Sequence, residues 1–194
     1  MKKDLYQQLE EFNANFPSIP PSVELTNEKM VLKENCISLL VFPENMIETK
    51  SIFERVDLGC MGKNTWFLDK VHMYDIVENI PRTPYVVHNI NVTFNTLGTP
   101  WYTRYYFGEQ RPLTFHEVVT LAFYFPDIFN EKISGIQAYG SRFANSKGKS
   151  RNADTDDTLE IYRKGDPGEG FLKLAREFHR YHEKTKIIPF ALEN

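Results

Sequence analysis

Arg111-Pro112-Leu113-Thr114-Phe115-His116-Glu117-Val118-Val119-Thr120-Leu121-Ala122-Phe123-Tyr124-Phe125-Pro126 carries the clearest punctuation in the chain. Thr114 is a residue type that caps a helix N-terminus, and Glu117 stands three positions later, where its side chain reaches back to close a capping box. The apolar residues Val118, Val119, Leu121, Ala122 and Phe125 continue the helix, and Pro126 ends it. A strand precedes it: Pro84 to Phe94 is rich in β-branched and aromatic residues, and its last part alternates apolar with polar. Helices and strands of this kind, mixed along one chain, predict an α+β fold with a small mixed or antiparallel sheet flanked by helices.

The rest of the chain is consistent with that class. Leu5, Leu9 and Phe12 follow helical spacing and predict an amphipathic helix over residues 3–14. A second helix is expected at 22–33, with Ser22 as its cap. Cys36 to Phe42 is short, apolar and bounded by Asn35 and Pro43, which suits a buried strand. Glu44 to Phe53 can form a helix over it through Met46, Ile47 and Phe53, so that the order resembles a strand, helix, strand unit. Gly59 and Gly62 bracket a turn, and Asn64 to Leu68 is ambiguous between strand and helix. Gly135 to Tyr139 and Thr158 to Arg163 read as strands, with a polar loop from Gly140 to Asp157 between them. Asp166-Pro167-Gly168-Glu169 supplies a cap, a first-turn proline and an N3 glutamate for a last helix through Phe171, Leu174, Ala175, Phe178 and Tyr181. Ile187 to Leu192 then closes the sheet.

Composition narrows the class of protein. A chain of 194 residues, 41% hydrophobic and 14% aromatic, has the apolar material to bury roughly 70% of its unfolded surface in a single domain. The two cysteines, Cys36 and Cys60, form no CxxC pair, and Cys36 reads as a buried, inert thiol in a reducing compartment. Residues 1–10 have no apolar stretch of signal-peptide type, and no segment has the length of a membrane span, so a soluble cytoplasmic protein is expected, without membrane contact. A net charge of −3 speaks against nucleic acid as a partner.

Several constellations invite chemistry and fall short of it. Ser146-Lys147-Gly148-Lys149-Ser150 resembles a P-loop, but Phe143 stands where the pattern requires a glycine. Asp154, Asp156, Asp157 and Glu160 lack the spacing of a calcium loop and follow Lys147, Lys149 and Arg151, which suits a self-neutralising polar loop. His179 and His182 have metal-pair spacing but no third ligand in view. His116-Glu117 with Glu109 is a conceivable acid/base set, yet the capping box already employs Glu117, and no G-x-S-x-G elbow exists. The aromatic run from Trp101 to Phe107 around Arg104 reads as core packing in preference to base stacking. No metal or cofactor is expected.

Gly140-Ser141-Arg142 is the motif worth keeping. A glycine that admits close backbone approach, a hydroxyl and a planar guanidinium make an anion-recognition corner. The competing reading has Arg142 tie the turn to Glu117 or Asp127. Pro84-Tyr85, Arg111-Pro112-Leu113-Thr114, Glu117, Pro126 and Gly140-Ser141-Arg142 resemble, in order and approximate spacing, the bacterial family catalogued as domain of unknown function 5701, over about residues 35–142. The resemblance implies a compact cytosolic bacterial domain and names no substrate.

The functional expectation is therefore a non-catalytic or regulatory binding protein. Arg111, Ser141 and Arg142 would form its recognition surface, for a small anionic ligand or a protein partner. Two alternatives stand beside it. One is an enzyme using His116 or His88 as acid/base next to Arg142, in a pocket between the sheet and the Thr114 helix. The other is a structural protein that self-associates through an apolar sheet edge or the aromatic helix expected around residues 101–107.

Overall fold

The computed structural model describes residues 3–19, 23, 32–57, 62–64, 72–92, 110–128, 135–144, 158–163, 169–175, 186–187 and 189–192. The expected helix at 22–33 lies outside these apart from its ends, as do Thr65 to Leu68, the aromatic run at 101–107, the loop at 145–157 and the His179–His182 pair. The fold is α+β. Among the described residues no helix is long and apolar enough to cross a membrane.

The first helix, α1, spans Leu5–Asn15 and opens on a capping box: Asp4 accepts from the Gln7 N–H, and the Gln7 side chain returns to the Asp4 N–H. Its inward face carries Phe12, whose ring stacks on Phe42 at 3.6 Å between centroids. The same face buries a polar residue completely, Gln8. Its amide accepts from the Leu40 N–H at 2.8 Å and donates to the Ser38 carbonyl at 2.9 Å. Both groups belong to β1 (Cys36–Val41), an edge strand of its sheet, and Gln8 supplies the partner that a further strand would have provided. Gln8→Ala is expected to leave those buried peptide groups unsatisfied and cost about 2 kcal/mol, read from urea unfolding.

β1 pairs antiparallel with β4 (Tyr85–Asn91), so the strand, helix, strand order does not become a parallel crossover. The register slips between Ile37 and Leu39, where His88 and Asn89 bulge opposite Ser38 and Asn89 adopts a left-handed φ of 53°. Between the strands lies α2, only Thr49–Phe53 in place of the expected 44–53. The Pro43 carbonyl takes the N–H groups of Met46 and Ile47 in a separate turn. Glu48 is then extended (φ −64°, ψ 137°), which separates that turn from the helix.

The Thr114 helix, α3 (Phe115–Tyr124), forms with the expected box, and every residue in it is buried. It packs on α2, on β1 and on β6 (Gly135–Ala138), the setting in which a helix is apolar nearly all round. The C-cap Phe125 donates to the Leu121 carbonyl, after which a 3-10 turn covers Pro126–Ile128.

The strands form two larger sheets and a two-stranded ribbon. The four-stranded sheet runs β1, β4, β11 (Phe190–Leu192), β5 (Gln110–Pro112) and is antiparallel throughout. The five-stranded sheet runs β10 (Lys186–Ile187), β6, β8 (Thr158–Arg163), β9 (Glu169–Ala175), β2 (Gly62–Asn64). It is mixed, with parallel pairs at β10/β6 and β9/β2. The ribbon pairs β3 (His72–Asp75) with β7 (Ser141–Ala144). One apolar core takes in residues of α1, β1, α2, β4, α3, β6, β8 and β11.

Two expectations are corrected. Glu169–Ala175 is a strand, where the capping signature at Asp166 predicted a helix. It lies between β8 and β2, and ladder bonds to two neighbours outweigh a local cap, with Gly170 already costing a helix about 1 kcal/mol. Ser141–Ala144 is likewise a strand and not the start of a loop, because β3 offers it a ladder. The C-terminus closes both sheets, with Ile187 in one and Phe190 in the other.

Candidate functional site

The first turn of α3 gathers the polar residues that the sequence singled out. A helix N-terminus presents unpaired N–H groups and a partial positive charge, and so favours anions. Here the chain's own side chains fill that role. Glu117, wholly buried, accepts from the Thr114 N–H at 2.8 Å, and the Thr114 hydroxyl accepts from the Glu117 N–H. Arg111, on β5, grips the same carboxylate in a fork, at 2.6 and 3.1 Å. Tyr85, at the start of β4, donates its hydroxyl at 2.8 Å. Burial raises the Tyr85 phenol above its ordinary range, and the adjacent Glu117 charge raises it further, so it remains a donor. For Arg111, burial opposes the charged form, but hydrogen bonds and attraction from Glu117 outweigh it and hold the proton more tightly.

Gly140 and Ser141 meet this turn from the other side. The Gly140 N–H donates to the Leu113 carbonyl at 2.8 Å, and its own carbonyl accepts from the Ile76 N–H. Ser141 Oγ accepts from the Phe115 N–H at 2.7 Å, giving the helix a second cap, and donates to the Asp75 carboxylate in a short contact. Asp75 remains exposed, yet partial burial of its carboxyl raises it above the ordinary carboxylate range. The charges of Glu117 and Glu44 add to this, against the Ser141 hydrogen bond and His116.

Arg111 and Ser141 thus converge on one helix turn, and each is engaged by a carboxylate of the protein itself. Arg142 is paired in backbone register with Tyr74, and its side chain lies outside what is described. Of the two histidines, His116 bonds the Phe42 carbonyl at 2.6 Å and Thr49 at 2.7 Å. His88 bonds Ser38 at 2.9 Å, and burial lowers its proton affinity. They share no partner in these bonds. Asp75, Thr49 and Glu44 had no signal in the sequence, since the contacts that recruit Asp75 to Ser141 and Thr49 to His116 span 66 and 67 residues. Among the described residues, no group of His, Cys, Asp and Glu is arranged to hold a metal.

In comparison with known proteins, no family model, no curated protein and no solved structure matches the chain.

Proposed function

We propose that the protein is a non-catalytic binding protein of the cytoplasm and that it recognises another protein through the β3–β7 ribbon around Gly140-Ser141-Arg142. The observation that carries this reading is the exposure of Tyr74 and Ile76, 46% and 47%, on either side of Asp75. Among the described residues the only other large hydrophobic side chain so exposed is Tyr6. Aromatic residues and arginine are favoured at protein interfaces, and the register sets Tyr74 opposite Arg142. The ribbon is tied to the core through Gly140 and Ser141, so these side chains stand on a fixed base. A small anion is the weaker candidate, because the donors of the corner already serve Glu117 and Asp75. The sequence resemblance to the bacterial family belongs to the same proposal and brings a cytosolic bacterial setting without an activity.

A photo-crosslinking residue at position 74 is expected to capture one protein in cells, and the same residue at Tyr6 is expected not to. The double variant Tyr74→Ala, Ile76→Asp, with a crosslinker at position 78, should lose the capture. Its stability should change by no more than about 0.5 kcal/mol, as at other surface sites. A thermal-shift panel of metals, nucleotides and phosphorylated metabolites is expected to be blank. A ligand at about 100 times its Kd would add about 2.7 kcal/mol, and such a hit, lost in Arg142→Ala, would replace the protein partner by a small anion.

A further inference from the structure

The β3–β7 ribbon has an open edge among the described residues. The Ile76 N–H donates to the Gly140 carbonyl at 2.9 Å, which makes Ile76 and Gly140 a hydrogen-bonded pair one step beyond Asp75 and Ser141 in the register. Bonded and non-bonded pairs alternate along an antiparallel ladder, so the next bonded pair is Tyr74 with Arg142. The N–H and C=O groups of Met73 and Asp75 therefore point away from β7. Among the described residues no strand takes them up. Two other sheet edges are treated differently: Gln8 occupies that of β1, and β5 ends in Pro112. β3 carries neither lysine nor proline, and its register with β7 has no bulge.

We propose, on the reading of the ribbon as a protein-binding surface, that the partner adds an extended segment to this edge as a further strand, with apolar residues at alternate positions and a lysine or arginine between them. Main-chain bonds to an exposed edge supply affinity, and alternate side chains supply specificity. On β3 those alternate positions differ in kind. Tyr74 and Ile76 share the exposed face, while Asp75 points to the opposite face, where it meets Ser141. An incoming strand follows the same alternation. Its apolar residues flank Tyr74 and Ile76, and the residue between them comes beside the Asp75 carboxylate.

Charge selects the occupant. Asp75 is exposed, as are Glu44 and Glu78. Glu117 and Glu44 repel negative charge at Asp75, and the Arg111 guanidinium is taken by Glu117. A cation on the incoming strand relieves that repulsion, and an acidic strand adds to it. A second copy of this chain is disfavoured for the same reason. Pairing two β3 edges about a two-fold axis sets the Asp75 and Glu44 carboxylates of one copy near those of the other, and like charges across a ladder destabilise it.

The test adds short synthetic peptides to the full chain and follows amide exchange at Met73, Tyr74 and Asp75. One peptide alternates valine with lysine, the other valine with glutamate. At about 1 mM, the lysine peptide is expected to slow exchange at Met73 and Asp75 about tenfold. Tyr74, already bonded to β7, should not change, and the glutamate peptide should slow none of the three. Asp75→Asn, whose amide oxygen still accepts from Ser141, should weaken the lysine peptide by up to about fivefold, the worth of one surface charge pair. Equal slowing by both peptides overturns the basic partner, and no slowing at Asp75 by either overturns the added strand. In that last case a protein captured by the crosslinker at position 74 still supports the surface, through side chains alone. Slowing at Asp75 without any capture supports the edge and counts against the surface as a site for a partner in cells. Slowing that needs no peptide and grows with protein concentration identifies a second copy as the occupant and overturns the proposal.

Discussion

Glu117→Ala is expected to destabilise the protein by about 3–5 kcal/mol, the cost of leaving a buried charge without its partner. The carboxylate has no exposed surface, and it is the acceptor for Arg111, for the Tyr85 hydroxyl and for the Thr114 N–H. Its removal strands a half-buried guanidinium and a phenol, and it breaks the capping box at the start of a fully buried helix. The expected shift in Tm is of order 10 °C. Glu117→Gln keeps one acceptor oxygen and should lose less. The double variant Glu117→Leu, Arg111→Met should be more stable than the sum of its single variants implies, since no unpaired charge remains. Additive losses in that cycle would show that the pair is not coupled.

Gly140→Ala is expected to cost about 3 kcal/mol, at the upper end for an added methyl group in a packed interior. The position is buried, and a Cβ there would lie 2.6 Å from the Leu113 carbonyl oxygen and 2.8 Å from the Thr114 nitrogen. These are backbone atoms at the entry to α3, so no side chain can rotate away to make room. The glycine is required by close approach. Relief must come from separating the β6–β7 turn from the helix, which also draws Ser141 off the Phe115 N–H. Amide exchange at Phe115 should therefore quicken along with the loss of stability. An unchanged Phe115 amide would mean that the turn does not seat the helix.

The motif that suggested an anion site contributes to the fold through the same chemistry. A close-approach glycine, a hydroxyl and a nearby guanidinium are what a bound anion needs, and at α3 the anions are Glu117 and Asp75. The arginine that pairs with Glu117 here is Arg111, six residues before it. From sequence, Arg142 was the arginine read as tying the turn to Glu117 or Asp127, and Arg111 was placed on the recognition surface. Local spacing made Glu117 legible as a capping residue, whereas Tyr85 and Ser141 reach the site only through the packing of β4 and β7.

What the sequence determined by itself was whatever depends on neighbours along the chain. The capping box at Thr114, the ends of α3 and the strands at 36–41, 85–91, 135–138 and 158–163 follow from spacing, turn residues and β-branched content. Tertiary structure decided whatever depends on groups brought from far away. It made a strand of Glu169–Ala175 despite a helix-capping signature, because β8 and β2 flank it. It set β1 antiparallel to β4, with a bulge at Asn89, and gave Gln8 to the edge of β1. It also placed Glu44, Thr49 and Asp75 around the first turn of α3. Hydrogen bonds within one helical turn are written in residues three or four apart, whereas a sheet ladder or a buried polar row exists only once the chain has closed on itself.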